Sequence, residues 1–362
     1  MLKLIFLTLR ISHRISKMQV VFPEFDIVVY HGGCPDGIVS AWITAKCAEM
    51  QNRNIALVSY RHGQSLILDG DKFTYWQPKE FSKPPKETCG SKIIKKVFSN
   101  WISNNDENTI SFVGMRVLMV DISLPRKDME YIKSKASSFT CLDHHESAER
   151  ELYGLDYCVF DMSKCGSSLT WNYCFGPIRE PWFLKYVNDR DIWAKQFVEQ
   201  TATFHSYMTY YEYAYGTLNV VEISDPDMIL SEGTFYRKLE LKDINEAAGN
   251  AKICTFTTPN GDKYKVAACG SVKWGIVSDV GNAMAIMHDC DFAVIYNYDL
   301  EEDKWTLSIR GIEGKSPNLS KVAEQFIYKN KKCGGHPCAA GIAIPNTADE
   351  SLKKYLQIIK KI

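Results

Sequence analysis

The sequence predicts an α/β fold: a doubly wound, mainly parallel sheet, followed by a second, smaller α/β domain. Three short apolar segments carry the prediction of the parallel sheet, and they are FDIVVY at 25–30, RVLMV at 116–120 and SFTCL at 138–142. Each is short enough for a buried strand, and a polar turn with a helical pattern follows the first two. Repeated strand-then-helix units indicate a parallel sheet, in which the carboxyl ends of the strands line one ligand-binding crevice.

The elements of the first domain follow in order. The first strand leads through the loop HGGCPDG into the apolar helical segment 38–50. The second strand ends at Asp121, and a polar turn and the helical segment 129–136 follow it. The third strand ends at Asp143. This pattern predicts a first domain at 18–200, with its ligand-binding crevice at the carboxyl ends of the strands.

Residues 61–114 separate the first strand-helix unit from the second and have a different composition. They are polar, rich in lysine and interrupted by prolines, as in PKEFSKPPKETCGSK. This pattern predicts a surface insertion with one helix near 93–102, whose charge indicates a solvated face rather than a binding patch. Tyrosines are dense in 204–216, within a linker region at 201–250, and we expect them to pack in the core or between domains rather than stack on bases.

The second domain is expected at 251–362. Its pattern consists of strand-like segments at 252–258 and 264–269 around the turn PNGDK, a helical segment at 277–288, and strand-like segments at 292–298 and 305–311. Alternation of strands with a helix in so short a stretch is typical of a small α/β domain.

The charge balance limits the partners of the protein. Lys plus Arg and Asp plus Glu both count 43, so the net charge is zero and no global positive field favours long duplex nucleic acid.

Twelve cysteines without a CxxC pair favour reduced thiols and a cytoplasmic location. No stretch approaches the roughly 18 apolar residues of a membrane span. The basic, acid-free extension 1–17 is either an organelle import signal, the less favoured interpretation, or the product of an upstream start.

Metal-binding residue types cluster where the predicted strands end. His31 follows the first strand, Asp121 the second, and Asp143, His144 and His145 the third. Asp36 lies at the start of the first helix, and YVNDRDIW offers Asp189 and Asp191 after another helix. Any one of these alone is more simply explained as a surface histidine or a helix cap, but their equivalent positions in the sheet favour a shared site. Imidazole and carboxylates together are a ligand set for Mn2+ or Mg2+.

Four motifs in this order resemble those of the DHH phosphoesterase superfamily: HGGCPDG, VLMVDIS, DHH and NDRDIW, over about 25–195. SIRG at 308–311 and CGGHPCAAG at 333–341 resemble the DHH-associated C-terminal domain, over about 250–350. The resemblance implies two Mn2+ or Mg2+ ions. One would be held by Asp36, Asp121, His144 and the aspartate of the fourth motif, for which Asp189 and Asp191 both stay open, and Asp121 would bridge to the second ion near His31.

The resemblance also implies catalytic roles for the DHH triplet. His145 would face the scissile phosphate, His144 would bind metal, and Asp143 would orient its neighbours. One departure concerns Cys34, which stands where many members have the first carboxylate of a DxD motif. A thiolate there could bind a softer metal, or the ion on the His31 side could be weak or absent.

The second domain is expected to bind the substrate. Gly334 and Gly335 allow a ligand to approach the backbone, His336 can donate to a phosphate or a base, and Arg310 suits bidentate phosphate binding. The resemblance implies hydrolysis of short oligoribonucleotides or linear or cyclic dinucleotides by metal-activated water, as in nanoRNases, oligoribonucleases or cyclic-nucleotide phosphodiesterases. The alternative is a nucleotide sensor with impaired turnover. The sequence leaves open whether the protein forms a homodimer.

Overall fold

The computed structural model describes residues 21–60, 68–69, 72–74, 109–270, 272–300, 303–326 and 333–345. The N-terminal extension 1–17 and the helix predicted near 93–102 lie outside these residues. The contacts divide the chain into two units. Of the described residues, the first unit contains those up to His144 and 151–234, and the second contains 145–150 and those from Phe235 onward.

The first unit is built on a parallel sheet, as the sequence predicts. The strands of the described residues up to 160 are β1 Ile27–His31, β2 Ala56–Tyr60, β3 Leu68–Asp69, β4 Lys72–Thr74, β5 Thr109–Ser111, β6 Arg116–Val120, β7 Ser138–Asp143 and β8 Cys158–Phe160. Five of them form one sheet in the order β2-β1-β6-β7-β8, with every neighbouring pair parallel. The predicted α/β class with a doubly wound parallel sheet is therefore confirmed.

Helices connect these strands and continue the chain to residue 249. They are α1 Pro35–Met50, α2 Arg126–Lys135, α3 Glu146–Leu152, α4 Gly166–Phe175, α5 Leu184–Asp191, α6 Val198–Tyr211, α7 Tyr215–Ile223 and α8 Pro226–Gly249. Helix α1 begins three residues earlier than the helical pattern because Pro35 occupies its first position, where the missing N–H costs nothing. The tyrosine-rich segment at 204–216 forms the end of α6 and the start of α7.

The core of the sheet explains why its strands read as continuous apolar runs. Val29 and Met119 are fully buried, as are their neighbours Val28 and Val120 on the opposite face. A parallel strand with both faces covered needs apolar side chains at successive positions rather than at alternate ones. Helix α1 is likewise buried nearly all round, so its sequence shows little amphipathic pattern.

The predicted insertion contains structure that the sequence analysis missed. Strands β3, β4 and β5 pair antiparallel as a small sheet. Each has only two or three residues, too short to leave an alternating pattern in the sequence. Most of 61–114 lies outside the described residues.

The second unit contains a mixed sheet. Its strands in the described residues are β9 Lys252–Thr257, β10 Lys263–Gly270, β11 Phe292–Asp299, β12 Lys304–Arg310, β13 Gly334–His336 and β14 Ala339–Pro345, in the order β13-β14-β12-β11-β10-β9. Among these described strands, only the β10–β11 pair is parallel, and α9 Val277–Met287 connects the two strands. Helix α10 Leu319–Glu324 lies between β12 and β13 in the sequence. Apolar clusters containing Val266 and Val280 pack on the sheet, which confirms the α/β character predicted for this domain.

Among the described residues, no helix combines the length and the apolarity that crossing a bilayer requires. The cysteines in this part of the chain are free thiols.

Methionines 119 and 115 offer a matched test of the packing at β6. Met119 is fully buried in the core, whereas Met115, just before the strand, is 40% exposed. We expect Met119→Ala to lower the free energy of unfolding by roughly 2–5 kcal/mol because it leaves a cavity, and Met115→Ala to change it by less than about 0.5 kcal/mol. Urea unfolding followed by circular dichroism measures both, and equal losses would contradict the placement of β6 in the core.

Candidate metal centre

Three neighbouring strands end at one edge of the parallel sheet, and each delivers a potential metal ligand. His31 is the last residue of β1, Asp121 follows β6, and Asp143 ends β7 directly before His144. Because β1, β6 and β7 are adjacent and parallel, their carboxyl ends meet. Asp121 adopts a left-handed backbone with φ of 58°, a conformation that a non-glycine residue takes at an energetic cost and that is often found at functional sites.

The carboxylate of Asp121 lies between two histidines. Its Oδ1 is 3.0 Å from Nε2 of His144, and its Oδ2 is 3.4 Å from Nδ1 of His31. Asp121 is buried, as is His144, while the His31 side chain is 18% exposed. One carboxylate therefore presents a different oxygen to each imidazole, which is the arrangement of a bridging ligand.

Two further carboxylates approach His144. Oδ2 of Asp191 is 3.2 Å from Nε2 of His144, and Oδ2 of Asp36 is 3.7 Å from it. The ligand atoms of Asp36, His144 and Asp191 all lie within 4.8 Å of one another, as do those of His31, Cys34 and Asp121. The sequence analysis placed Asp191 after a helix, which is wrong: it is the last residue of α5, because the helical turn continues through NDRD.

Asp189, the other candidate from the same motif, has different partners. Its carboxylate accepts hydrogen bonds from the backbone N–H of Gln196 at 2.6 Å and of Phe197 at 3.3 Å, and from Oγ1 of Thr201 at 2.6 Å. It thereby caps the N-terminus of α6 and fixes the loop between α5 and α6. In this loop Trp193 and Lys195 have φ of 54° and 55°, so the loop is tightly turned.

Asp143 acts on the backbone of the DHH triplet. Its Oδ1 accepts a hydrogen bond from the backbone N–H of His144 at 2.8 Å, and the residue is buried. The contact fixes the peptide that carries His144 and thereby the direction in which the imidazole points.

The electrostatics of the site favour a cation among these carboxylates. Burial by itself would lower the pKa of His144, but the charges of Asp191, Asp121 and Asp36 outweigh it and raise the pKa to about 10. At His31, burial is the largest effect and lowers the pKa to about 4 in spite of the nearby carboxylates. A neutral imidazole is the form that binds metal.

Cys34 lies at the start of α1 with its sulfur in this cluster. Burial, reinforced by the charges of Asp121, Asp191 and Asp36, raises the pKa of its thiol well above the ordinary value. The carboxylates that hold this thiol protonated are the same ones that would attract a cation. Buried carboxylates require a compensating charge, and oxygen and imidazole donors suit divalent cations. The donor set therefore fits a divalent metal centre.

The sequence analysis missed two residues at this site, Gly166 and Ser167, both of which contact Asp36. Asp36 accepts hydrogen bonds at Oδ2 from the backbone N–H of Gly166, at 2.6 Å, and at Oδ1 from the backbone N–H of Ser167, at 2.9 Å, and from the Ser167 hydroxyl. A Cβ on Gly166 would lie 2.5 Å from Cβ of Asp121, so only glycine fits there without displacement. The segment KCGSSLT signals a helix start, but nothing in it identifies a partner 130 residues away.

The other candidate residues lie in the second unit. His145 stacks on His336 there, with ring centroids 4.8 Å apart. Gly334 and Gly335 are in β13, and Gly335 has φ of 148° and no room for a Cβ, which would lie 2.5 Å from the carbonyl oxygen of Ala339. Arg310 ends β12, donating from Nε to Oγ of Ser278 at 3.1 Å and from Nη1 to the carbonyl of Ile309 at 2.9 Å.

Comparison with known proteins agrees with these motifs. Residues 254–362 match the model of the DHHA1 domain, the DHH-associated C-terminal domain expected from CGGHPCAAG. The C-terminal part of the chain is therefore similar to the DHHA1 domain. Asp143 and His144 of the DHH triplet meet the aspartate motifs in the first unit, on a parallel α/β fold.

The proteins to which this chain is similar are distant in sequence. An uncharacterised protein of Acanthamoeba polyphaga mimivirus is 26% identical over 330 residues, which is 88% of this chain and 68% of the mimivirus protein. The DHH domain of PF0399 is 13% identical with a TM-score of 0.50, covering 93% of this chain and 87% of that domain, and this likeness concerns the fold. PggH of Vibrio cholerae, a pGpG-specific phosphodiesterase, is 10% identical with a TM-score of 0.43, covering 93% and 99% of the two chains.

Gly166 permits a direct test of the close approach between α4 and Asp121. We expect Gly166→Ala to lower the free energy of unfolding by about 1–3 kcal/mol because the added methyl group meets the Asp121 backbone and side chain. Gly249→Ala is the matched control, since its Cβ would meet nothing within 4 Å. Thermal unfolding followed by circular dichroism compares them. An unchanged melting temperature for Gly166→Ala would show that α4 and Asp121 are farther apart than in this structure.

Proposed function

We propose that this protein is a metal-dependent phosphodiesterase that hydrolyses short oligoribonucleotides or linear or cyclic dinucleotides. The observation that carries the proposal is the position of Asp121, with one carboxylate oxygen facing His144 and the other facing His31. A carboxylate shared by two imidazole-containing groups suits two adjacent divalent ions, a centre that promotes in-line attack on a phosphodiester.

The two ligand groups differ in composition. Asp36, His144 and Asp191 form one group with Asp121, and His31 and Cys34 form the other with Asp121. For the fourth motif we assign the ligand to Asp191, because it faces His144 whereas Asp189 caps α6. Oxygen-rich ligands favour Mn2+ or Mg2+ in the first group. The thiol of Cys34 makes the second group better suited to Mn2+ than to Mg2+.

Divalent ions at these positions would supply Lewis acidity, polarising the phosphoryl oxygen and activating the attacking water. The residues of the chain then have separable tasks. His145 contacts the phosphate and stabilises its developing charge, and Asp143 holds the His144 backbone in place. We assign nucleotide contacts to Arg310, Gly334, Gly335 and His336, of which the glycines let phosphate or base approach the backbone.

The balance of charge supports a short substrate. With a net charge of zero, the protein lacks the general positive field that holds long duplex nucleic acid, so binding must come from a few local contacts. A dinucleotide or short oligomer presents only one or a few phosphates. A small set of donors and metal ions matches this number.

Cleavage of a substrate panel tests the proposal. The full chain, with Mn2+ or with Mg2+, is incubated with RNA and DNA of two to eight nucleotides and with cyclic dinucleotides, and the products are separated by chromatography. We expect cleavage that is fastest for the shortest RNA or for dinucleotides. Asp121→Asn is the control, because asparagine tolerates the left-handed backbone and keeps the side-chain shape. Since outer-shell changes cost about 10–100-fold in activity, loss of this ligand should cost more than about 100-fold.

The same assay distinguishes a hydrolase from a nucleotide sensor with impaired turnover. Cys34, in the place of a carboxylate ligand, is the feature that favours the sensor. Binding of a nucleotide without cleavage under either metal would contradict the hydrolase and support the sensor. Equal cleavage by the protein and by Asp121→Asn would instead assign the activity to another site or to a contaminant.

Cys34 can be tested separately through metal preference. A carboxylate at this position adds a hard, charged ligand, so we expect Cys34→Asp to bind Mg2+ about 10-fold or more tightly than the unmodified protein. Cys34→Ser, similar in size and uncharged, is the matched control and should not gain Mg2+ affinity. Isothermal titration calorimetry measures both. If Cys34→Asp binds Mg2+ no better than Cys34→Ser, the residue lies outside the coordination sphere.

A further inference from the structure

The N-terminus of α4 is capped by a residue from a distant part of the chain. Its own N-cap, Cys165, makes no side-chain cap hydrogen bond. Instead, Asp36 accepts from the backbone N–H of Gly166 and Ser167 and from the Ser167 hydroxyl. The first N–H groups of a helix lack partners within it and carry the positive end of its dipole, so a carboxylate there is strongly favoured.

The three hydrogen bonds use both oxygens of Asp36 and so fix the plane of its carboxylate. Oδ1 accepts two of them, both from Ser167, and Oδ2 accepts one from Gly166. Oδ2 is also the atom that faces His144 at 3.7 Å. Asp36 and Ser167 are buried, with 1% and 0% exposed, so water does not compete for these contacts. The orientation of Oδ2 towards His144 therefore depends on the donors that hold Oδ1.

The same helix end also fixes a second carboxylate. Gly166 packs so closely on Asp121 that a Cβ would lie 2.9 Å from the Asp121 Oδ1 and Cα atoms. The position of Gly166 is in turn secured by Thr170, whose Oγ1 donates to the Gly166 carbonyl at 2.7 Å. The first turn of α4 thus fixes the position of the Asp36 carboxylate relative to that of Asp121, although the two residues are 85 positions apart in the sequence.

We propose that Ser167 is a positioning residue for the metal centre: its hydroxyl and N–H hold the Asp36 carboxylate in the orientation that binds the cation. This inference rests on the proposed function, since it takes Asp36 to be a metal ligand. In this proposal Ser167 acts through Asp36 and is assigned no contact of its own with metal or substrate. Its contribution is to reduce the number of orientations that Asp36 adopts before the cation binds, and so to raise the affinity for the cation.

The helix offers a matched control in the next residue. Ser168 is also a buried serine in the first turn of α4, but its hydroxyl lies 3.6 Å from the sulfur of Cys165 and does not contact Asp36. The test compares Ser167→Ala with Ser168→Ala by isothermal titration of Mn2+ into the metal-free full chain. Thermal unfolding without metal measures the purely structural cost of each change.

We expect Ser167→Ala to weaken Mn2+ binding by about 10–100-fold, in the range found for residues that orient metal ligands, and Ser168→Ala to change it by less than about 3-fold. A structural role alone would instead lower the melting temperature of the metal-free protein and leave the Mn2+ dissociation constant unchanged. If Ser167→Ala does not fold, Ser167→Thr is compared with Ser167→Val instead. Threonine and valine have nearly the same shape, and only threonine has the hydroxyl. The Ser167→Thr variant should then bind Mn2+ more tightly than the Ser167→Val variant.

Two outcomes would overturn the inference, and they are distinguishable. Equal Mn2+ affinity of the unmodified protein and Ser167→Ala, or of the Thr and Val variants, would overturn the positioning role alone. Absence of Mn2+ binding to the unmodified protein would overturn both this role and the proposed function.

Discussion

The first unit is organised around buried negative charge. Asp36, Asp121 and Asp143 are each 1% exposed, a state that is costly unless every carboxylate has compensating donors or a cation. The fold supplies donors where it can: the N-terminus of α4 for Asp36 and the His144 peptide for Asp143. Asp121 instead faces two imidazoles. Its negative charge therefore has to be balanced by positive charge on these imidazoles or by a cation.

A parallel sheet is well suited to create this arrangement. Its strands are held by their own hydrogen bonds and by apolar packing on both faces, so their ends are rigid without help from the polar residues. Each strand end then needs only one or two polar residues to contribute to the site. Carboxylates that would be unstable in a flexible segment are tolerated here, because the stability of the core offsets the cost of holding them together.

The strand-end residues could be predicted from sequence because apolar runs and parallel topology place His31, Asp121 and Asp143 at one edge. Asp189 and Asp191 could not be distinguished, since two residues apart on a helix they point in widely different directions and the helix orientation is set by tertiary packing. Ser167 was missed because a hydrogen bond to a distant aspartate leaves no local pattern. The short strands β3 to β5 were missed because alternation is unreadable over two or three residues.

The cap that Asp189 provides has a thermodynamic consequence. Asp189 ties α6 to the last turn of α5, and Asp191 belongs to that same turn. Local opening of α6 would release Asp189 and with it the turn that holds Asp191, so the local stability of α6 and the affinity for a cation are linked. By reciprocity, a cation bound through Asp191 would slow hydrogen exchange along α6.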